Sequence, residues 1–270
     1  RLMVKSYKIY SISSKNMQEG FVAALSLTLS LATSISPTFA ADEGKKIVQP
    51  NLDENFWNDY NSWLANRIRI KGNDSGGSGM TLGVDSTLYY TTSGSFTKRT
   101  QYNGTAGGNY YTTTSSGGKL LGWGTTSGLG YAEVQTWVGP EFTPQGSGSK
   151  TAYISFYGRR YGAMLGSGTS QYKIVGAVKD LTTGAIIGEV ELDSATLTGS
   201  QTVRNYEGSF PTKSVLAVLE GGHRYHAFIR LSASSDSNAN MAANFGFDKT
   251  YYYNGSTPGV FLDKVFVDFK

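Results

Sequence analysis

No cysteine occurs anywhere in the chain, which removes disulfides, thiolate metal ligands, thiol nucleophiles and a lipid-bearing cysteine at one stroke. Histidine is nearly as scarce: His223 and His226, in the run His-Arg-Tyr-His, are the two present. Residues three apart on a strand point to opposite faces, so this pair is not expected to share a metal. A Ser-His-Asp triad would have to use one of them, and no Gly-x-Ser-x-Gly elbow supplies its nucleophile. A long apolar run is missing too. The stretch Phe21–Ala32 is about a dozen residues, against the roughly 20 that a spanning helix needs.

What that stretch does resemble is an export signal. Lys5, Lys8 and Lys15 precede it, and Ser36-Pro-Thr-Phe-Ala-Ala-Asp42 follows with small residues where a signal peptidase cuts. Residues 1–40 are therefore expected to be a secretory signal peptide, cleaved after Ala40 or Ala41, with no membrane span left behind. The chain as a whole has 24 Lys+Arg against 20 Asp+Glu; the first 40 residues hold four and one of these, leaving 20 against 19. The basic balance thus belongs to the leader, and a nucleic-acid partner gains no support from it. A cysteine-free exported domain of this size fits a bacterial protein, secreted or at the cell surface.

Residues 41–52 read as a linker. Asp53 can then cap a helix in which Phe56, Trp57, Tyr60, Trp63, Leu64 and Ile68 recur at spacings of three and four. That aromatic face is expected to pack on a sheet; docking on a partner or second subunit is the alternative. Residues 72–130 are dense in Gly, Ser, Thr and Tyr. The pieces Tyr89-Tyr-Thr-Thr-Ser-Gly94 and Tyr110-Tyr-Thr-Thr-Thr-Ser-Ser-Gly117 echo one another, and the segment reads as polar hairpins with long loops.

From 131 to 270 the chain alternates cleanly. Ala132, Val134 and Val138 oppose Tyr131, Glu133, Gln135 and Trp137. Ala152, Ile154 and Phe156 oppose Tyr153, Ser155 and Tyr157. Ile186, Val190 and Leu192 oppose Ile187, Glu189 and Glu191. In the strand entered through His223, Tyr225, Ala227, Ile229 and Leu231 share one face, and Arg224, His226, Phe228 and Arg230 the other. Phe261, Val265, Val267 and Phe269 form one face of a last strand. Period-two patterning broken by Gly-rich turns predicts an all-β, antiparallel sandwich over 53–270, with one N-terminal amphipathic helix and a jelly-roll topology.

Two segments carry a resemblance. The ending Gly259-Val-Phe-Leu-Asp-Lys-Val-Phe-Val-Asp-Phe269 resembles the closing strand of secreted jelly-roll carbohydrate-binding modules, and Leu219-Glu-Gly-Gly-His-Arg-Tyr225 is similar to the strand entry before it. The resemblance implies the jelly-roll sandwich and points to a polysaccharide or cell-surface glycan as ligand. The residues that could bind one are those expected on the outward side of their strands: Tyr131, Glu133, Gln135 and Trp137, with Tyr153 and Tyr157. Sugar rings stack C–H faces on Trp or Tyr, while Glu and Gln bond the hydroxyls. A second layer, either the aromatic helix or the Tyr-rich hairpins, would instead cover this side.

Three other readings stay open. Glu189, Glu191 and Asp193 would share a strand face at about 7 Å between neighbours, within the range of a glycosidase pair. Laminarinase-like jelly-roll hydrolases carry a similar strand, Glu-x-Asp-x-(x)-Glu, from which the order here departs. Glu189 and Glu191 are accordingly the alternative catalytic pair of a hydrolase or lyase, and a solvated acidic face is the plainer reading. The Gly-rich hairpins and aromatic helix allow a self-associating subunit of a matrix, filament or surface layer. Finally, Ser234-Ser-Asp-Ser-Asn-Ala-Asn240 offers oxygen ligands for Ca2+ but one carboxylate and no EF-hand spacing, so no metal or other cofactor is expected.

Overall fold

Alternating residues become a strand when one side finds an apolar layer to face, and in the computed structural model this happens thirteen times among the described residues. The structure describes residues 56–71, 78–89, 92–101, 111–115, 118–127, 130–237, 242–247 and 258–270, all within one unit spanning 47–270. The expected signal peptide, the linker and Asp53 lie outside them. Helix α1 (Phe56–Lys71) precedes β1 (Ser78–Thr81), β2 (Ser86–Leu88), β3 (Thr92–Gln101), β4 (Tyr111–Ser115), β5 (Lys119–Ser127) and β6 (Gly130–Gly139). Then follow β7 (Glu141–Gln145), β8 (Ser149–Asp180), β9 (Ile186–Ser209), β10 (Lys213–Glu220), β11 (Tyr225–Ser237), β12 (Ala242–Phe247) and β13 (Gly259–Phe269).

Among the described residues the fold is an all-β sandwich with one helix, as the alternation predicts, and strand β8 runs through both of its layers with β9 beside it. β8 is 32 residues long. Its first part pairs with β10 and β13; its last part pairs with β11 and the beginning of β9. Gly162, Gly166 and Gly168 lie between the two parts, where the β8–β9 register also shifts twice. Glycine and bulges let a strand leave one sheet and enter another. The parts then meet face to face: a Cβ added at Gly176 would lie 2.5 Å from the Phe156 ring. One layer thus runs β3–β6–β11–β8–β9, and the other is built on β10–β8–β13–β2 with β5 beside β13.

Between the layers lies the main core, which includes Ile154, Phe156, Ile174, Val178, Tyr225, Ile229, Leu231, Val265 and Val267. The face read from the alternation of β11 is the buried one; on β13 Val265 and Val267 are buried as read, but a bulge between Leu262 and Lys264 puts Phe261 on the opposite face and Leu262 in the core. The segment 72–130 departs from the hairpin expectation. β4 and β5 do form an antiparallel hairpin, but β3 pairs with β6, β2 with β13, and β1 runs parallel to β7. Long-range partners win because short polar hairpins have too little apolar face to hold themselves together.

β9 corrects a second expectation. Register shifts sit between Val178 and Lys179 and between Ile174 and Val175, so Ile187 and Leu192 are extra residues on β9. The first bulge turns Ile187 toward the core and leaves Ile186 exposed, the reverse of the alternation read from the sequence. The second carries Asp193 off the face of Glu189 and Glu191: Val175 pairs with Glu191, but the inward-facing Ile174 pairs with Asp193.

The Phe156–Gly176 contact yields a test of the two-layer use of β8. Gly176→Val should destabilise the protein by about 1–3 kcal/mol in urea titration, the usual cost of overpacking. Gly79→Ala, at a position with nothing within 4 Å, should stay within about 0.5 kcal/mol of the parent.

Candidate functional site

Layer one does not present the outward row read from the sequence to solvent. Tyr131, Glu133, Gln135 and Trp137 are all buried. This corrects the expectation of an open platform there. At the Trp137 end the cause is α1, the covering layer weighed as the alternative. Its Phe56 and Tyr60 pack with Trp137, Ala177 and Phe228 into a second cluster, flanked by Trp57, Trp63 and Leu64. The Tyr60 and Phe228 rings stack at 5.2 Å, while Phe56 and Trp63 meet Trp137 edge-on at 5.7 and 5.3 Å. Gly94 sits beneath this junction, where a Cβ would come within 2.4 Å of the Trp137 ring. Further along β6 the polar members bond to each other. Tyr131 donates its hydroxyl to Glu133 at 3.1 Å, and the Gln135 amide donates to the same carboxylate.

Polar and charged groups fasten α1 at its edges. The Tyr60 hydroxyl and His226 Nδ1 are 2.6 Å apart, and Arg67 pairs with the buried Glu141, which also accepts from Thr92 at 3.1 Å. Arg230 lies over the Phe56 ring at 4.2 Å and Lys179 over Trp57 at 5.3 Å. Burial pushes the His226 imidazole down to about 4, with the Glu141 carboxylate pulling the other way. Burial alone would raise the Glu141 carboxyl; hydrogen bonds from Arg67 and Thr92, together with the positive field of Arg67 and His226, hold it below its ordinary value.

The two histidines have separate partners. His223 lies in the turn before β11, with Nδ1 2.9 Å from Asp180 Oδ2, and that hydrogen bond raises its pKa. Asp180 also accepts the backbone N–H groups of Thr182 and Thr183, so it organises the β8–β9 turn. The alternative catalytic pair remains on one face, but each acid has a basic neighbour: Glu189 and Arg230 at 3.5 Å, Glu191 and Lys173 at 3.6 Å. Asp193 faces the other way, accepting from the Tyr172 hydroxyl at 2.7 Å and pairing with Arg160. Of the oxygen-rich stretch 234–240, Ser234 and Ser235 are buried in β11, and Asn238 to Asn240 lie outside the described residues. Among the described residues no group of three His, Asp or Glu side chains could hold a metal ion, and no helix is long and apolar enough to cross a membrane.

Tyr153 and Tyr157 lie elsewhere, on the outer face of layer two. Tyr153 is 39% exposed and Tyr157 is half-buried, about 13 Å apart along β8 at the usual strand rise. The neighbouring strands extend the surface. On β13, Asp268 is opposite Tyr153, Lys264 opposite Tyr157 and Phe261 opposite Arg159. On β10, Leu216 is opposite Tyr153 and Val218 opposite Thr151, and these two are 57% and 59% exposed. Tyr89, also exposed, follows directly after the Leu88–Val265 pair and borders a cleft of about 370 Å³ between β1 and β2. Phe261, Leu216 and Val218 were not singled out from the sequence as site residues. The signal for the last two was present: in Lys213–Glu220 both alternating sets are apolar, and a sandwich strand has one core to face.

No family model matches the chain, and no curated protein matches it. Among solved structures, a family 11 carbohydrate-binding module from Clostridium thermocellum, in complex with a beta-1,3-1,4-mixed-linked tetrasaccharide, is similar at 14% identity and a TM-score of 0.24. The likeness covers 69% of this chain and 96% of that one. The structure of infectious bursal disease virus, Gx strain, is similar at 10% identity and a TM-score of 0.14, over 69% of this chain and 41% of that one. Neither likeness is close enough to carry an argument about ligand or role.

The anchoring of α1 sets a pH dependence. The unfolded chain binds a proton at His226 near pH 6.5 that the folded chain refuses until about 4, so stability is full above 6.5 and falls as pH drops through that window. The loss should reach about 3 kcal/mol by pH 4, read from urea midpoints. Glu141, lowered in the folded state, adds a further loss below its ordinary range. His223, raised in the folded state, acts with the opposite sign as pH climbs past 6.5. His226→Gln should flatten the profile between 6.5 and 4.

Proposed function

We propose that this is a non-catalytic carbohydrate-binding protein of the cell surface or extracellular space, engaging a polysaccharide on the outer face of layer two. One observation carries the reading. Tyr153, Tyr157 and Phe261 line an open sheet face that includes the exposed Leu216 and Val218, so a row of aromatic rings is offered where the sandwich has no further layer among its described residues. Rings in line on a rigid sheet suit an extended polymer, since each can stack on a sugar's C–H face while Thr151, Ser214 and Asp268 offer hydrogen bonds to hydroxyls. Binding without turnover is favoured over hydrolysis because the bulge at Leu192 removes Asp193 from the acidic row, and the remaining pair is drawn toward Arg230 and Lys173. Export follows from the leader pattern of residues 1–40.

β10 favours a second reading, a self-associating structural subunit. Its described pairing is with β8 alone, and it presents Leu216 and Val218 beside that edge, a combination that invites strand addition. Light scattering across a hundredfold concentration range discriminates the two. A constant monomer mass favours the binder, while growth abolished by Leu216→Lys with Val218→Lys favours the subunit.

On the binding reading, Tyr153→Ala and Tyr157→Ala should each weaken retention on an immobilised polysaccharide panel about fivefold, from a stacking loss of order 1 kcal/mol, with melting temperature little changed. Trp137→Ala should do the reverse, costing about 3–5 kcal/mol of stability while the folded fraction still binds. Unchanged retention in both tyrosine variants would remove the proposed surface.

A further inference from the structure

Resting on that reading of the layer-two face, we infer that its ligand is an acidic polysaccharide, one whose sugars carry carboxylate or sulfate groups. Each ring in the row has a cation above it. Lys270 Nζ is 5.2 Å from the centre of the Tyr153 ring and Lys264 Nζ is 4.7 Å from that of Tyr157; Lys119 Nζ and the Arg159 guanidinium both lie 5.4 Å from that of Phe261. Carboxylates lie at both ends of the row, within reach of some of these cations. At the Tyr153 end, Asp268 takes Lys270 at 2.7 Å, and Asp85 is close by, accepting the Phe269 N–H at 2.9 Å. Toward Tyr157 and Phe261, Lys264, Lys119 and Arg159 share the face with Asp263, which is 3.5 Å from Arg159, and with Glu207, opposite Tyr161 on β9.

The position of the cations decides between neutral and acidic sugars. A neutral sugar can stack on these rings only by moving the cations aside, at a cost of about two- to fivefold in affinity per ring for exposed cation–π pairs. An acidic sugar meets the displaced ammonium or guanidinium with its own anion, so the ring contact it breaks is replaced by an ion pair in the same place. The long lysine stems make that swing easy, because the charge can travel several ångströms while the methylenes stay on the apolar sheet. Arg159, half exposed and held at 3.5 Å by Asp263, is able to exchange that partner for a carboxylate or sulfate.

The test uses the folded chain in affinity electrophoresis and calorimetry with polygalacturonate and chondroitin sulfate as acidic probes and hydroxyethylcellulose as the neutral one, at 50 and 500 mM NaCl. The expected result is binding to an acidic probe at least tenfold tighter than to the neutral one, weakened several-fold by salt. Lys264→Met combined with Lys119→Met should lose tenfold or more on the acidic probe, and Lys264→Arg should retain binding; melting temperatures report that the variants fold. Binding to the neutral probe as tight as to the acidic ones, unmoved by the lysine variants, overturns the inference and leaves the carbohydrate surface standing. Binding to an acidic probe that neither the lysine nor the tyrosine variants disturb places the ligand elsewhere and overturns both. No binding to any probe by the parent protein overturns both as well.

Discussion

Phe156 lies on Gly176, and the two belong to the same strand. The two layers of the described sandwich meet at that contact, which requires β8 to leave one layer, turn, and come back across its own core. A side chain at position 176 would hold the layers apart; its absence lets the aromatic ring fill the space between them. The two ends of β8 then act as templates. One pairs with β10 and β13, the other with β11, and β9 runs beside both, so a single run of chain belongs to both sheets.

Having two layers produces four faces, and their fates differ. The inner two make the core. The outer face of layer one meets α1, whose aromatic side has nowhere else to go, and the polar groups there are matched in place: Tyr60 with His226, Arg67 with Glu141, Tyr131 and Gln135 with Glu133. Buried polar groups are costly unless paired, so these matches hold the helix to this location as well as to this sheet. The outer face of layer two keeps Tyr153, Leu216 and Val218 in the open, with cations spread across its rings. Functional interest therefore moves from the first sheet to the second. Aromatic residues on both were legible as outward, but one set was already in use.

Legibility followed local geometry. In β11 the split between Tyr225, Ala227, Ile229 and Leu231 on one side and His226, Phe228 and Arg230 on the other came straight from period-two alternation, because that strand is regular over this stretch. In β9 the same reasoning misplaced Ile186 and Asp193, because one extra residue in a strand reverses every face after it and leaves no mark in composition. The hairpins expected in 72–130 failed for a related reason. Turn residues and strand formers are local signals, whereas the partner of a polar strand is chosen by what else needs an edge.

By itself the sequence determined the class of the fold, the amphipathic helix, most of the core, and the absence of any thiol chemistry, since each depends on residue type or on spacing within one element. Only the tertiary structure decided which outward row stays outward. Tyr131 and Trp137 carry the same alternation signal as Tyr153 and Tyr157, and nothing local distinguishes them. The difference is that α1 lies over one sheet at Trp137 and not over the other, and whether an aromatic ring is core or surface depends on the neighbour that arrives, which a strand's own period cannot record.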